Sequence, residues 1–414
     1  MRSDLTDDPR PYDIVVVGAS GFTGRLVLEY LADKYPADAP VRWAVAGRNR
    51  EKLEKVIAEF CPSGDKPTIV VADSHDGSAL RQLARDTQVV LTTVGPYAKY
   101  GSELVAACVE SGTHYCDLAG EAQWIRRMLD EHQADAVESG AKIVNSCGFD
   151  SIPSDIGVFY LQQQAMETYG EPCEEIILLV RAIKGGASGG TFASMLNAVE
   201  EARADSTVAR ILGDPYSLNP EGERQGPDSR DQNGTRYCTM AGVWTAPFVM
   251  AAINTRIVRR SNALLDYPYG REFRYSEATS TGRGTGGWLK SALMTAGLAS
   301  FMVACSFEFT RSTIVKKMVP APGQGPTREQ RENGFFDLRL FGRMKNGKVL
   351  QAKVTGDRDP GYGSTSKMLS ESALCLALDE LNTAGGFLTP ASAMGQPLMK
   401  RLTANAGLSF ELVT

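Results

Sequence analysis

Asp13-Ile-Val-Val-Val-Gly18-Ala-Ser-Gly21-Phe-Thr-Gly24 is the stretch on which the architecture of this chain turns. A β-branched run that ends on glycine reads as a strand meeting a turn, and the amphipathic pattern from about Thr23 to Lys34 reads as the helix that leaves it. Glycine lets the backbone turn tightly and approach a pyrophosphate, while unpaired amides at the helix start meet its negative charge. The spacing is GxxGxxG rather than GxGxxG, so the strand-turn-helix context carries the dinucleotide signal.

Outward from that turn the same alternation repeats. Val41–Ala46, Thr68–Ala72, Gln88–Val94, His114–Cys116 and Ala141–Asn145 read as strands. Helices are expected at about Asn49–Phe60, Leu80–Arg85, Ser102–Ser111 and Ala122–Ser139. Strands separated by helices at this spacing predict a parallel sheet, hence an α/β fold with an N-terminal Rossmann-type domain over residues 1–150. Beyond Ser151 the regularity weakens: an apolar run at Ile176–Val180, a glycine-rich segment at Lys184–Thr191, and a polar stretch at Gly213–Gly234 that reads as a surface excursion. Phe335–Phe341 and Val349–Thr355 alternate with period two around Lys345-Asn-Gly-Lys348, a hairpin signal. These features predict a second, inserted α/β (α+β) domain over 151–355. A C-terminal helical return over 356–414, with a helix at about Ser366–Leu381, is expected to pack on the first domain.

The nucleotide-contacting residues follow from the strand ends. Gly18, Ser20, Gly21, Phe22, Thr23 and Gly24 form the pyrophosphate turn. The second strand runs into Ala46-Gly47-Arg48-Asn49-Arg50, where an acid would hold the ribose of NAD. An arginine there suits a 2′-phosphate, because a planar cation makes paired charge-assisted hydrogen bonds, so NADP(H) is the expected cofactor. Arg48 and Arg50 as mere solvated residues at a helix start are the competing reading. Asp73 is placed to accept from the adenine amino group or to cap a helix, and Val94, Gly95 and Pro96 follow the fourth strand beside the nicotinamide.

Bulk properties exclude several alternatives. A chain of 414 residues, 43% apolar and 22% charged, is globular and too long for one ordinary core. Net charge is −5 with scattered cations, which disfavours nucleic acid and favours a small-molecule partner. Eight cysteines without a CxxC pair, and only three histidines, offer neither a disulfide framework nor a metal centre. The polar N-terminus lacks a secretory pattern, and a cytoplasmic protein is expected. Ser291–Phe307 is an uncharged apolar run that fits a buried helix, a helix on a lipid surface or dimer interface, or a membrane span.

Thr92-Thr-Val-Gly-Pro-Tyr97, Tyr100-Gly-Ser-Glu-Leu-Val105, the run from Cys108 to Glu121 and Asn145-Ser-Cys-Gly-Phe-Asp-Ser-Ile-Pro-Ser-Asp155 together resemble the saccharopine dehydrogenase family. Within it the sequence is most similar to the trans-acting enoyl reductases and the saccharopine-dehydrogenase-like oxidoreductases of animals. The likeness extends in outline to Gly189–Thr191 and Asp359–Gly363. It implies reduction by NADPH, with an unsaturated acyl, polyketide or lipid-like intermediate as substrate, presented by a separate polyketide or fatty-acid synthase. An imine or secondary-amine oxidoreductase is the alternative chemistry, and a non-catalytic NADP-binding protein at a lipid surface a third. Arg256, Arg259 and Arg260 are the only cation cluster suggested for an amino-dicarboxylate, and read equally as a solvated face. For enoyl reduction, Tyr97 or Tyr100 is the candidate proton donor, with Lys99 lowering its pKa. His114, Tyr115 and Asp117 are expected at a ligand-facing strand end, while Asp150 and Ser151 either border the nicotinamide or cap a helix.

Overall fold

The computed structural model describes residues 10–35, 41–61, 66–186, 189–307 and 325–413. In chain order the first unit runs β1 (Tyr12–Val17), α1 (Phe22–Lys34), β2 (Trp43–Gly47), α2 (Arg50–Phe60), β3 (Thr68–Val71), α3 (Gly77–Arg85), β4 (Thr87–Thr92), α4 (Tyr97–Tyr100), α5 (Ser102–Glu110), β5 (His114–Cys116), α6 (Ala122–Ser139) and β6 (Lys142–Val144). Then follow α7 (Ile152–Tyr169), β7 (Cys173–Lys184), α8 (Gly189–Ala204), α9 (Ser206–Gly213), β8 (Arg236–Cys238), β9 (Val243–Pro247), α10 (Ala251–Leu264), β10 (Arg274–Gly282) and α11 (Gly284–Ser306). The chain ends with α12 (Arg328–Glu332), β11 (Phe335–Met344), β12 (Val349–Gly356), a π-helical turn (Pro360–Ser364), α13 (Thr365–Leu378), β13 (Gly386–Leu388), α14 (Pro390–Ala393), α15 (Gly395–Asn405) and β14 (Leu408–Leu412).

The first sheet has the order β13-β6-β5-β4-β1-β2-β3, and its pairs are parallel. Alternate residues of each strand feed opposite faces, which is why its strands read as unbroken apolar runs. Ile14, Val16, Val45, Val89 and Leu91 pack with Val27, Leu28 and Leu31 of α1 and with Met368 and Leu369 of α13. Val15, Val17, Ala44, Ala46 and Val90 pack with α3, α5 and α6. The second sheet, β14-β12-β11-β7-β10-β9-β8, turns Ile176, Leu178, Val180, Leu338, Leu340 and Val354 onto α7, so one apolar core runs continuously beneath both sheets.

Three expectations need correction. The C-terminal segment is not purely helical: β13 adds to the first sheet beside β6, with Phe387 opposite Ile143, and β14 crosses back to pair with β12. Both strands are short, three and five residues, so neither offers enough alternation to be seen in the sequence. The stretch at 213–234 is not all surface, since Leu218 is fully buried and Ser217 and Asn219 nearly so. The apolar run at 291–307 lies on α11, and the buried reading fails: only 11% of Gly284–Cys305 is covered, with Leu293 65% and Val303 58% exposed. That helix, of mean hydropathy 1.4, is the one among the described residues long and apolar enough to cross a membrane.

Candidate functional site

The strand order reverses at β1, whose neighbours are β4 and β2, and the carboxyl ends of β1 and β4 therefore flank the crevice where such sheets bind ligands. At that edge Gly18 takes φ +87°, in the left-handed region, and a Cβ on it would lie 2.6 Å from Val94 Cγ2. Gly21 donates to the Gly18 carbonyl at 2.9 Å and stands at the N-cap of α1 without a capping side chain. The first amide returned to the turn is that of Arg25, to the Gly21 carbonyl at 3.0 Å. The amides of Phe22, Thr23 and Gly24 thus have no acceptor among the described residues, which suits an anion at the positive end of the helix. This glycine-lined cradle fits a dinucleotide pyrophosphate.

Phe22 contributes through its amide, because its ring is engaged elsewhere. It meets Tyr362 edge-on at 4.7 Å between centroids, and the Arg331 guanidinium stands 5.8 Å above it. The Ser20 carbonyl accepts from Arg25 Nε at 3.2 Å, and the Thr23 side chain is half-buried. Cradle and C-terminal segment are therefore one packed unit.

At the far end of the crevice, Arg48 follows β2 directly and is exposed. No carboxylate or other acceptor among the described residues engages its guanidinium. Asn49 caps α2, accepting from the Lys52 amide at 2.9 Å, so the helix start needs neither Arg48 nor Arg50. Asp73 accepts from the His75 amide at 3.0 Å and closes a turn, while Asp76 caps α3. The Tyr100 ring lies 5.7 Å from that of His75, on the β3 side of the crevice.

The loop after β4 is pinned by a residue whose part the sequence did not disclose. Glu121, 1% exposed, accepts from the amides of Tyr97 at 2.7 Å and Ala98 at 3.0 Å, and from Ser194 Oγ of α8 at 2.8 Å. One carboxylate thus ties the loop carrying Val94, Gly95 and Pro96 to the second sheet's helix. Nothing in the local pattern announces an acceptor for amides two dozen residues upstream.

Tyr97 is in the wrong place for a proton donor. It is 5% exposed, its hydroxyl donates to the Thr92 carbonyl at 3.3 Å and accepts from the Leu118 amide at 3.1 Å, and burial holds its pKa well above the usual value. Lys99 and Tyr100 are exposed on α4, and neither approaches Tyr97 through a hydrogen bond. Asp117 is fully buried and saturated by donors from Tyr115, Ala119, Asn145 and Ser146, so that burial, partly offset by these bonds, pushes its carboxyl up to about 6. His114 begins β5 rather than ending it, where its Nδ1 accepts from the Lys142 amide at 3.2 Å. Burial, with the charges of Lys142 and Arg10, depresses its pKa to about 4.

Asp150 differs from all of these. It lies between the carboxyl end of β6 and the start of α7, half-buried, with no hydrogen bond or ion pair among the described residues. Desolvation alone pushes its carboxyl up to about 6, and it is near enough to Tyr97 for their charges to interact. Ser151 is buried and donates to Asn254 Oδ1 at 3.1 Å rather than capping α7. Arg256, Arg259 and Arg260 form neither a substrate clamp nor a solvated face. All three are 3–4% exposed and donate to the carbonyls of Leu212, Pro215, Leu218, Tyr275 and Phe387.

A Rossmann sheet with its cradle at the switch point, tied through Glu121 to α8, defines a dinucleotide-binding protein. The model of the saccharopine dehydrogenase NADP binding domain matches residues 14–144. A Mycobacterium tuberculosis protein provisionally named a trans-acting enoyl reductase is 43% identical over 98% of this chain and 99% of its own. The trans-acting enoyl reductases of Mycobacterium ulcerans and Mycobacterium leprae are 39% and 38% identical, each over 96% of this chain and 97% of theirs. Among solved structures, the saccharopine dehydrogenase of Saccharomyces cerevisiae superposes with a TM-score of 0.52 over 97% of this chain and 100% of its own; at 12% identity this speaks for the fold alone. The chain belongs to the saccharopine dehydrogenase family, in its trans-acting enoyl reductase branch, and is an NADP-dependent oxidoreductase.

Proposed function

We propose that this protein reduces the carbon–carbon double bond of an unsaturated acyl intermediate held by a separate polyketide synthase. The structural observation behind NADPH as the reductant is the pairing of an open amide cradle at Phe22–Gly24 with an unengaged Arg48 at the next strand end, and the enoyl chemistry rests on the likeness to the trans-acting enoyl reductases. The names of its relatives, trans-acting enoyl reductases, support an enoyl substrate and action in trans on a separate partner.

When bound, NADPH supplies a hydride to the β-carbon. The chain's own residues do the rest. Amides at the start of α1 hold the pyrophosphate, Arg48 holds the 2′-phosphate, and the free oxygen of Asp73 accepts from the adenine amino group. Val94, Gly95 and Pro96, held by Glu121, border the nicotinamide. Asp150 keeps a proton for the α-carbon, a task that a desolvated carboxyl near neutral pKa performs better than the buried Tyr97. Lys99 and Tyr100 then belong to the adenosine rim. The exposed apolar side chains around α11, Leu289, Leu293 and Val303 among them, are proposed to meet lipid.

The test is NADPH oxidation by the purified protein against paired panels of α,β-unsaturated acyl thioesters and of imines formed from amino acids with keto acids. Consumption with the thioesters is expected. Consumption with imines alone would overturn the reading.

A further inference from the structure

Away from the nucleotide crevice, an open cavity of about 280 Å3 lies against the second sheet. Strand residues at Glu175, Arg236 and Arg274 form one side, and the loop from Asp228 to Gln232 forms the other. Its acidic members are already engaged. Asp228 accepts from Arg259 Nε at 2.7 Å and from the Tyr275 amide at 3.1 Å. Asp231 accepts from Thr255 Oγ1 at 2.9 Å and pairs with Arg256 at 3.3 Å, while Glu175 is held by Arg343.

Three arginines of the lining remain uncompensated. The guanidiniums of Arg230 and Arg236 have no acceptor among the described residues, and Arg274 donates only to the Pro227 carbonyl at 2.8 Å. In a chain of net charge −5 this is a local accumulation and not a background of positive charge. Cations lining the same cavity repel each other, and each guanidinium presents a planar fork that matches two oxygens of one anion. A multiply charged tetrahedral anion relieves the repulsion and fills the forks together. Ser229, Thr239 and Ser276 add neutral donors around the same space.

We propose that this cavity is an anion site that binds the phosphoryl group of a phosphorylated ligand, separate from the nucleotide cradle. Its occupancy does not depend on which bond the enzyme reduces. The phosphoryl group comes either free in solution or at the end of an organic arm, and the two sources are separable by probe.

The experiment uses full-length protein saturated with NADP+, so that the cradle is filled, and titrates it by calorimetry with inorganic pyrophosphate and with coenzyme A. One site for at least one probe is expected. The double variant Arg230→Gln/Arg236→Gln, both positions exposed, should weaken it by at least about tenfold, as expected for losing charge-assisted hydrogen bonds, with NADPH affinity unchanged. Equal affinity for the two probes assigns the site to the phosphoryl group alone; tighter coenzyme A assigns it to a phosphoryl group on an organic arm. No binding of either probe, or undiminished binding in the double variant, would overturn the proposal.

Discussion

Gly24 stands so close to the turn it follows that a Cβ on it would lie 2.2 Å from the Gly18 carbonyl oxygen and 2.8 Å from the Ala19 Cα. Both obstacles are backbone, so a methyl group can be admitted only by moving the cradle itself. Gly24→Ala should cost about 1–3 kcal/mol of stability, the usual range for overpacking, and should raise the NADPH dissociation constant at least about tenfold. Gly21→Ala meets the Gly18 oxygen at 3.3 Å and should do less. Thermal melts and fluorescence titration of NADPH measure both effects; equal behaviour of the two variants would contradict this account of the turn.

Arg48→Ala removes the one guanidinium at the end of β2 itself. NADPH affinity should fall by about tenfold to a hundredfold, the worth of a charge-assisted hydrogen bond, while NADH affinity stays within about twofold. Competitive titration of the two nucleotides against the wild type reads the difference. A parallel loss for both would show that Arg48 supports the helix and not the 2′-phosphate.

For Asp150 the sign of the pH effect can be worked out in advance. Its carboxyl is raised from 3.8 to about 6, so the folded protein retains a proton that the unfolded chain has given up between those values. The stability linked to this group is complete below pH 3.8 and is lost as pH rises through about 6. Asp150→Asn should therefore melt higher than wild type above pH 6 and equally near pH 4, while kcat falls by about a hundredfold, the lower end for general acid catalysis. In the wild type kcat/KM should decline as pH rises through about 6. A variant of full activity would remove Asp150 from the mechanism, whatever its melting behaviour.

Leu293 and Val303 are the large aliphatic residues on α11 with the greatest exposure. If this helix meets lipid, Leu293→Glu/Val303→Glu should abolish flotation with vesicles of phosphatidylglycerol and phosphatidylcholine while leaving NADPH affinity intact. Sedimentation of the same pair of proteins checks the other occupant: a wild-type dimer dissolved by the substitutions would assign the helix to a second copy of the chain.

The central strands of the first sheet were readable because both of their faces are buried, so Ile-Val-Val-Val at 14–17 and Val-Val-Leu at 89–91 stand out as continuous apolar runs. β10 was not, since Arg-Tyr-Ser-Glu-Ala-Thr-Ser-Thr-Gly is polar apart from Tyr275 and Ala278. Its inward Glu277 is 1% exposed and satisfied by Asn254 Nδ2 at 2.9 Å and the Tyr275 hydroxyl at 2.7 Å, partners that only the tertiary fold supplies. The arginines of α10 misled for the same reason: most of their acceptors, carbonyls and the carboxylates of Asp228 and Asp231, are distant in sequence. In the site, the shape of the glycine turn and the place of Arg48 directly after β2 were legible because both depend on local backbone geometry. Tyr97 was not, because whether a tyrosine after a Gly-Pro pair faces the crevice or the core is settled by Leu118 and Trp124, the latter 5.5 Å away ring to ring.

The central claim, that hydride passes to the β-carbon of an unsaturated acyl group, is tested most directly with NADPH deuterated at the transferred position of the nicotinamide. The protein would be incubated with an α,β-unsaturated acyl thioester and the product analysed by mass spectrometry and NMR. The account predicts one deuterium at the β-carbon and, in deuterated water with unlabelled NADPH, one at the α-carbon. A recovered thioester without deuterium, together with label transferred to the carbon of an imine supplied in its place, would contradict it.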